Sequence, residues 1–209
     1  MNILVIGATG RTGREVVGQA LGQGHVVTAF ARNPRHITRQ HDYLKVVPGD
    51  VLDGGSVEAA VGGQEAVVSA LGARTHGRTT VLSEGTRNVI RAMEQQGVRR
   101  FVCESSLGVG DSRGQLGPLF DWIVLPLWLR HVYRDKEVQE RNIKQSNLDW
   151  VIVRPALLTK GPRTGVYQVG LTYNRSSIVP RISRADVADF MLKQLTDDTY
   201  LRQAPGLWY

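Results

Sequence analysis

A chain of 209 residues has the length of one domain, or two at most, and 42% apolar with 22% charged residues excludes a disordered or fibrous protein. The single cysteine, Cys103, excludes an intramolecular disulfide framework and makes a reducing compartment the default. A net charge of +7, with 21 arginines among the 26 basic residues, favours an anionic partner. The basic residues are nevertheless scattered from Arg11 to Arg202 with no block of five like charges. That spread disfavours nucleic acid or a membrane surface and leaves a solvated basic surface or an anionic small molecule.

The chain starts Met1-Asn2-Ile3-Leu4-Val5-Ile6-Gly7, with no basic n-region and too short an apolar run for a signal peptide. Residues 2–6 instead read as a strand buried on both faces. Residues 7–13 are glycine-rich, and Val16, Val17, Ala20 and Leu21 then recur at helical spacing up to Gly24. Residues 25–31 and 44–47 read as the second and third strands, 56–61 as a short helix and 65–71 as the fourth strand. A long helix follows over 79–96 with Val81, Leu82, Val89, Ile90 and Met93 on one face and Gly97 at its C-cap. The fifth strand is 100–103, and 107–132 admits helix, lid or loop. Its apolar stretch, 119–132, is broken by Asp121, Pro126, Arg130 and His131 and is too short to span a bilayer. A helix near 134–145, a strand over 150–153 and a last helix through Leu195, opened by a capping box at Ser183 to Asp186, complete the reading. Strands alternating with helices predict a parallel, doubly wound α/β sheet over residues 1–209 in a single domain.

Gly7-Ala8-Thr9-Gly10-Arg11-Thr12-Gly13 lies between the first strand and the first helix, where each glycine has a task. Gly7 permits the tight turn, Gly10 lets a pyrophosphate approach the backbone and Gly13 lets the helix pack close to the strand. With Thr9, Arg11 and Thr12 they form a dinucleotide cradle, phosphates on the helix amides. The end of the second strand, Phe30-Ala31-Arg32-Asn33-Pro34-Arg35, carries no Asp or Glu to pair with a free ribose 2′-OH. Arg32 and Arg35 suit a 2′-phosphate instead, which selects NADPH; the alternative is two surface arginines in an arginine-rich protein.

These residues resemble the atypical short-chain dehydrogenases and, within them, the NADPH-dependent flavin and biliverdin IXβ reductases. The resemblance continues through Gly49-Asp50-Val51-Leu52, Gly63 to Val67, Leu71-Gly72-Ala73-Arg74, Thr79 to Gly85, Thr164 to Tyr167 and Phe190 to Leu192. It implies a Rossmann-type fold with a small C-terminal substrate-side portion. It also implies adenine contacts from Asp50 and Val51, a cofactor lining from Leu71, Gly72 and Arg74, and an active-site serine at Ser105 with Ser106 able to share the role. Ser105 otherwise reads as a capping or turn serine. The histidines that mammalian flavin reductases carry near the substrate correspond here to Glu140 and Leu157, so histidine-based proton delivery does not carry over. Tyr133-Arg134-Asp135-Lys136 has one residue too few for Tyr-x-x-x-Lys, which turns the pair about 100° out of relation. Lys136 and Glu140 read either as the continuation of the family's lysine-bearing helix or as a surface salt bridge.

Without a tyrosine acid, hydride transfer to an acceptor that needs little protonation help is the favoured chemistry. Flavins (FMN or FAD as substrate), quinones and linear tetrapyrroles qualify. Leu107, Trp122 and Trp128 could line an open cleft for a flat ring, though such residues also serve as core or subunit contact. A non-enzymatic NADP(H)-binding redox-sensing regulator is the alternative, and a nucleic-acid binder would show steep salt dependence. The sequence reading expects a cytoplasmic monomer or weak homo-oligomer acting on a small molecule, with no metal, nucleic acid or membrane span.

Overall fold

The computed structural model describes residues 1–73, 77–117, 129–173 and 180–209. Strand β1 (Asn2–Ile6) shows why the sheet lies inside. Ile3 and Val5 join one buried cluster, Leu4 and Ile6 the other, so both faces of the strand are apolar. β2 (Val26–Ala31), β4 (Ala66–Ser69), β5 (Arg100–Glu104) and β6 (Asp149–Pro155) extend the same pattern, and β3 (Leu44–Pro48) is a partly exposed edge strand. They stand parallel in the order β3-β2-β1-β4-β5-β6. Helices α1 (Arg11–Gly22) and α5 (Arg184–Lys193) cover one face through Val16, Ala20, Val187 and Met191. The other face is covered by α2 (Gly54–Val61), α3 (Val81–Gln96) and α4 (Arg130–Gln145), through Val57, Val89, Met93 and Ile143. The strand order reverses between β1 and β4, which opens a crevice at their carboxyl ends, where ligands bind in sheets of this kind.

This is the Rossmann-type α/β fold that the sequence predicts, with additions. Four three-residue strands escaped the periodicity reading because so short a run carries no period: β7 (Leu157–Thr159), β8 (Gln168–Gly170), β9 (Arg181–Ser183) and β10 (Gly206–Trp208). β10 pairs parallel with β6, and β8 closes that edge antiparallel, so the sheet is mostly rather than wholly parallel. β7 and β9 form a separate parallel pair. Helix α4 begins a turn earlier than the sequence indicates, and α5 stops at Lys193 although Leu195 remains buried. Among the described residues no helix is long and apolar enough to cross a membrane.

The predicted capping box at Ser183 is half formed. Ser183 Oγ accepts from the amide of Asp186 at 3.0 Å, but the Asp186 carboxylate does not reach back to the Ser183 amide. It accepts instead from the amides of Thr164 and Gly165, at 2.8 and 2.9 Å, and from the hydroxyl of Tyr209 at 2.6 Å. Helix α3 is capped from outside itself. Its N-cap Thr80 offers no side-chain bond, and Asp135 of α4 accepts the amides of Leu82 and Ser83 at 3.0 and 3.1 Å.

Candidate active site

The glycine loop turns out of β1 at Gly7, whose φ of +77° places it in the left-handed region. A side chain at Gly13 would come within 2.2 Å of the Gly7 carbonyl, so only glycine lets α1 start this close to β1. Gly10 is the N-cap of α1 and supplies no side-chain bond to the helix amides. The amides at the positive end of α1 therefore face the crevice without a side-chain cap, as an anion cradle requires. Thr9 and Gly10 are half-buried, Arg11 is exposed, and Thr12 points inward.

Arg32 and Arg35 follow β2 on the exposed corner beside this loop, and neither is ion-paired among the described residues. Asn33 shapes the corner by accepting from the Arg35 amide at 3.2 Å. Asp50 binds the amide of Leu52 at 3.0 Å in a local turn, leaving one carboxylate oxygen for other partners. The Val51 side chain is buried against Gly85 of α3, and its carbonyl accepts from Asn88 Nδ2 of the same helix at 3.0 Å. Leu71 packs on the core beyond β4, and a side chain at Gly72 would meet open space. Arg74, Trp122 and Trp128 lie outside the described residues.

Two serines follow β5 and differ in their surroundings. Ser105 is buried, and its hydroxyl donates to Glu140 Oε1 at 2.7 Å. The partly exposed Ser106 hydroxyl lies 3.0 Å from that of Tyr133, which donates to the Leu107 carbonyl at 3.1 Å. Of the two candidate serines, Ser105 is thus buried against α4 and Ser106 is the more exposed. Leu107 requires a correction too. It is 2% exposed and packs with Ala156, Tyr173 and Trp208, so it is core and lines no open cleft. Its amide donates to the Pro155 carbonyl at the end of β6 at 3.0 Å.

Glu140 is not a surface partner of Lys136. It is 2% exposed and bound by buried Arg154, Nε at 3.0 Å and Nη2 at 2.5 Å. Exposed Asp111 also binds Arg154, whose guanidinium these partners keep charged despite its burial. Half-buried Lys136 is thereby released from the expected pair; burial lowers its pKa, opposed by Glu104 and Cys103.

The sequence reading missed Glu104, which ends β5 at 7% exposure. Thr12 Oγ1 donates to its Oε1 at 3.1 Å. Burial pushes its carboxyl above the usual range, against the pull of Lys136, the Thr12 bond and Arg184. Arg184 donates to the Thr159 carbonyl at 2.8 Å, and burial and then the like charge of Arg11 lower its pKa. The available signal was an acid directly continuing an apolar strand, since acids are rarely buried without a reason. Among the described residues no cluster suited to a metal occurs.

A family profile described as NAD(P)H-binding matches residues 7–198. The chain belongs to the NAD(P)H-binding family. The dehydrogenase resemblance read from the sequence holds, and the fold is that of Rossmann-type oxidoreductases. This NAD(P)H-binding protein is 28% identical to the photosystem II assembly factor Ycf39 of Synechocystis over 97% of its own length, but spans 61% of that relative. ChuY of Escherichia coli O157:H7, an anaerobilin reductase, is 26% identical with a TM-score of 0.82, covering 100% of this chain and 97% of that one. A Veillonella parvula short-chain dehydrogenase/reductase in complex with NADP is 19% identical, covering 100% of this chain and 94% of that one. Its TM-score of 0.78 speaks for the fold alone.

Proposed function

We propose that the protein is an NADPH-dependent reductase passing hydride to a flat conjugated acceptor, a flavin, quinone or linear tetrapyrrole. The observation that carries this reading is the uncapped start of α1 beside a corner with two arginines that have no ion-pair partner among the described residues. The loop amides would hold the pyrophosphate, and Arg32 with Arg35 the 2′-phosphate that distinguishes NADPH from NADH. NADPH, when bound, supplies the hydride. The chain's own residues position the acceptor and exclude water, and Ser106 offers a hydroxyl at the crevice edge. Tyr133 donates to a backbone carbonyl, so an acceptor whose reduced form is stabilised by delocalisation suits this site better than a simple ketone. The similarity to ChuY, an anaerobilin reductase, supports a tetrapyrrole within that class.

A second reading, an NADP(H)-binding regulator without turnover, draws support from the same commitment of the Ser105 and Tyr133 hydroxyls to protein partners. One experiment separates the two. Purified protein is mixed with NADPH and, in turn, FMN, FAD, quinones and biliverdins, and nicotinamide absorbance is followed. Loss of absorbance with at least one acceptor supports the reductase; tight NADPH binding with no oxidation across the panel supports the regulator.

A further inference from the structure

We propose that Glu104 takes up a proton when NADP(H) binds and holds it on the carboxyl group that Thr12 touches. The proposal rests on the cofactor reading above and goes beyond it, because it assigns a proton-holding atom to a site whose hydroxyls are otherwise engaged.

The argument starts from placement. Glu104 closes β5 at the carboxyl edge of the sheet and accepts a hydrogen bond from Thr12 Oγ1 at 3.1 Å. Thr12 is the second residue of α1, within the cradle where the pyrophosphate would lie. The acid is therefore one side chain removed from incoming negative charge. Glu140 shows what a stabilised carboxylate looks like here, with a serine and a buried guanidinium bonded to it. Glu104 has no such partner: among the described residues no cation lies within ion-pair distance of it.

The groups facing Glu104 pull in both directions. Lys136 from α4 and Arg184 from α5 favour its charged form, and Arg11 of α1 stands beside Arg184. Glu140 on α4 and Cys103 on β5 share this surrounding. Burial opposes ionisation and prevails, leaving the carboxyl raised in the cofactor-free protein. Phosphates added against Thr12 are like charges in a poorly screened crevice, and they disfavour the carboxylate further. The bound state thus holds a proton over a pH interval in which the free state does not. Cofactor affinity falls as pH rises through that interval, by at most tenfold per pH unit for one proton.

Isothermal titration of NADP+ into the protein, in two buffers of different ionisation enthalpy between pH 6 and 9, counts protons bound. The 2′-phosphate titrates near pH 6, and its own contribution is common to all variants that bind it, so the comparison with Glu104→Gln isolates the acid. The expected result is up to one more proton taken up by the wild type than by the variant. A wild-type affinity that falls with pH relative to that of the variant is expected with it. Equal proton counts with parallel pH profiles overturn the proposal while leaving the cofactor site standing. Failure of both proteins to bind NADP+ overturns the cofactor reading and the proposal together. If Glu104→Gln does not fold, the infrared difference spectrum of the wild type decides. A new protonated-carboxyl band on NADP+ addition at fixed pH supports the uptake, and its absence refutes it.

Discussion

Glu140 accepts from Ser105 Oγ and from both arms of Arg154, all of them buried, so its charge is balanced where water does not reach. Removing one partner of such a pair leaves the other uncompensated and costs about 3–5 kcal/mol. Glu140→Ala should therefore lose about 3 kcal/mol of unfolding free energy in urea, near the lower end because exposed Asp111 still touches Arg154. Ser105→Ala removes a single bond from the same group and should cost about 1 kcal/mol with unchanged NADPH affinity. If Ser105→Ala instead lowers turnover at full stability, Ser105 has a catalytic part that its burial does not suggest. Arg32 offers the contrasting case, an exposed cation with no ion-pair partner among the described residues. One charge-assisted bond is worth about 1.5–3 kcal/mol, and 1.4 kcal/mol is tenfold in affinity. Arg32→Ala should then weaken NADPH binding by roughly ten- to a hundredfold and leave NADH almost unaffected, both read as dissociation constants. Equal NADPH and NADH affinities in the wild type would make Arg32 and Arg35 ordinary surface residues.

At the scale of the elements, α3 depends on a residue of another helix. Asp135→Ala frees the amides of Leu82 and Ser83 and should lower stability by about 1–2 kcal/mol, measured as a shift in urea midpoint. Asp135→Asn, which keeps an acceptor, should recover part of the loss. The dependence also marks where the sequence stops being readable. Among the described residues, β1 to β6 show as apolar runs and helices such as α1 and α3 through their apolar spacing, and the glycine loop declares itself because its tasks are local. Asp135 and Arg154 carry no such signal, and Glu104 only its place at the end of an apolar strand, since their partners lie far off in sequence and only the folded chain joins them. Leu107 misled for the complementary reason. An apolar residue after a strand can line a cleft or fill a core, and the strands β6 and β10 that decide the matter come much later in the chain. The start of α4 at Arg130 is not legible in the sequence because its first turn, Arg130 to Tyr133, opens without a side-chain cap.

Across the whole molecule, Asp186 ties the C-terminus to the segment at Thr164 through Tyr209, Thr164 and Gly165. Burial pushes its carboxyl up, but the bond from Tyr209 and those from Gly165 and Thr164 outweigh it and hold the group below its usual range. A carboxyl depressed in the folded state stabilises fully above its unfolded value, about 3.9. That contribution disappears as pH falls through the lower folded value. Asp186→Asn should therefore be less stable than the wild type at pH 7, with the gap closing below about pH 4. Thermal midpoints collected from pH 7 down to 2.5 test it, and a gap that persists undiminished in acid rules out the linkage.

Cys103 sits fully buried at the centre of the sheet, with its thiol pushed up to about 12 chiefly by burial. An alkylating reagent at pH 8 meets almost no thiolate in the closed molecule, and it reacts when β5 opens to solvent. As the chain has one cysteine, each labelling event is then a record of one opening. With closing faster than labelling, a ligand that binds the closed form slows the reaction by the factor 1 + [L]/Kd. The buried thiol thus converts a mass-spectrometric clock into a binding isotherm, giving dissociation constants for NADP+ and each candidate acceptor in a protein whose turnover need never be observed.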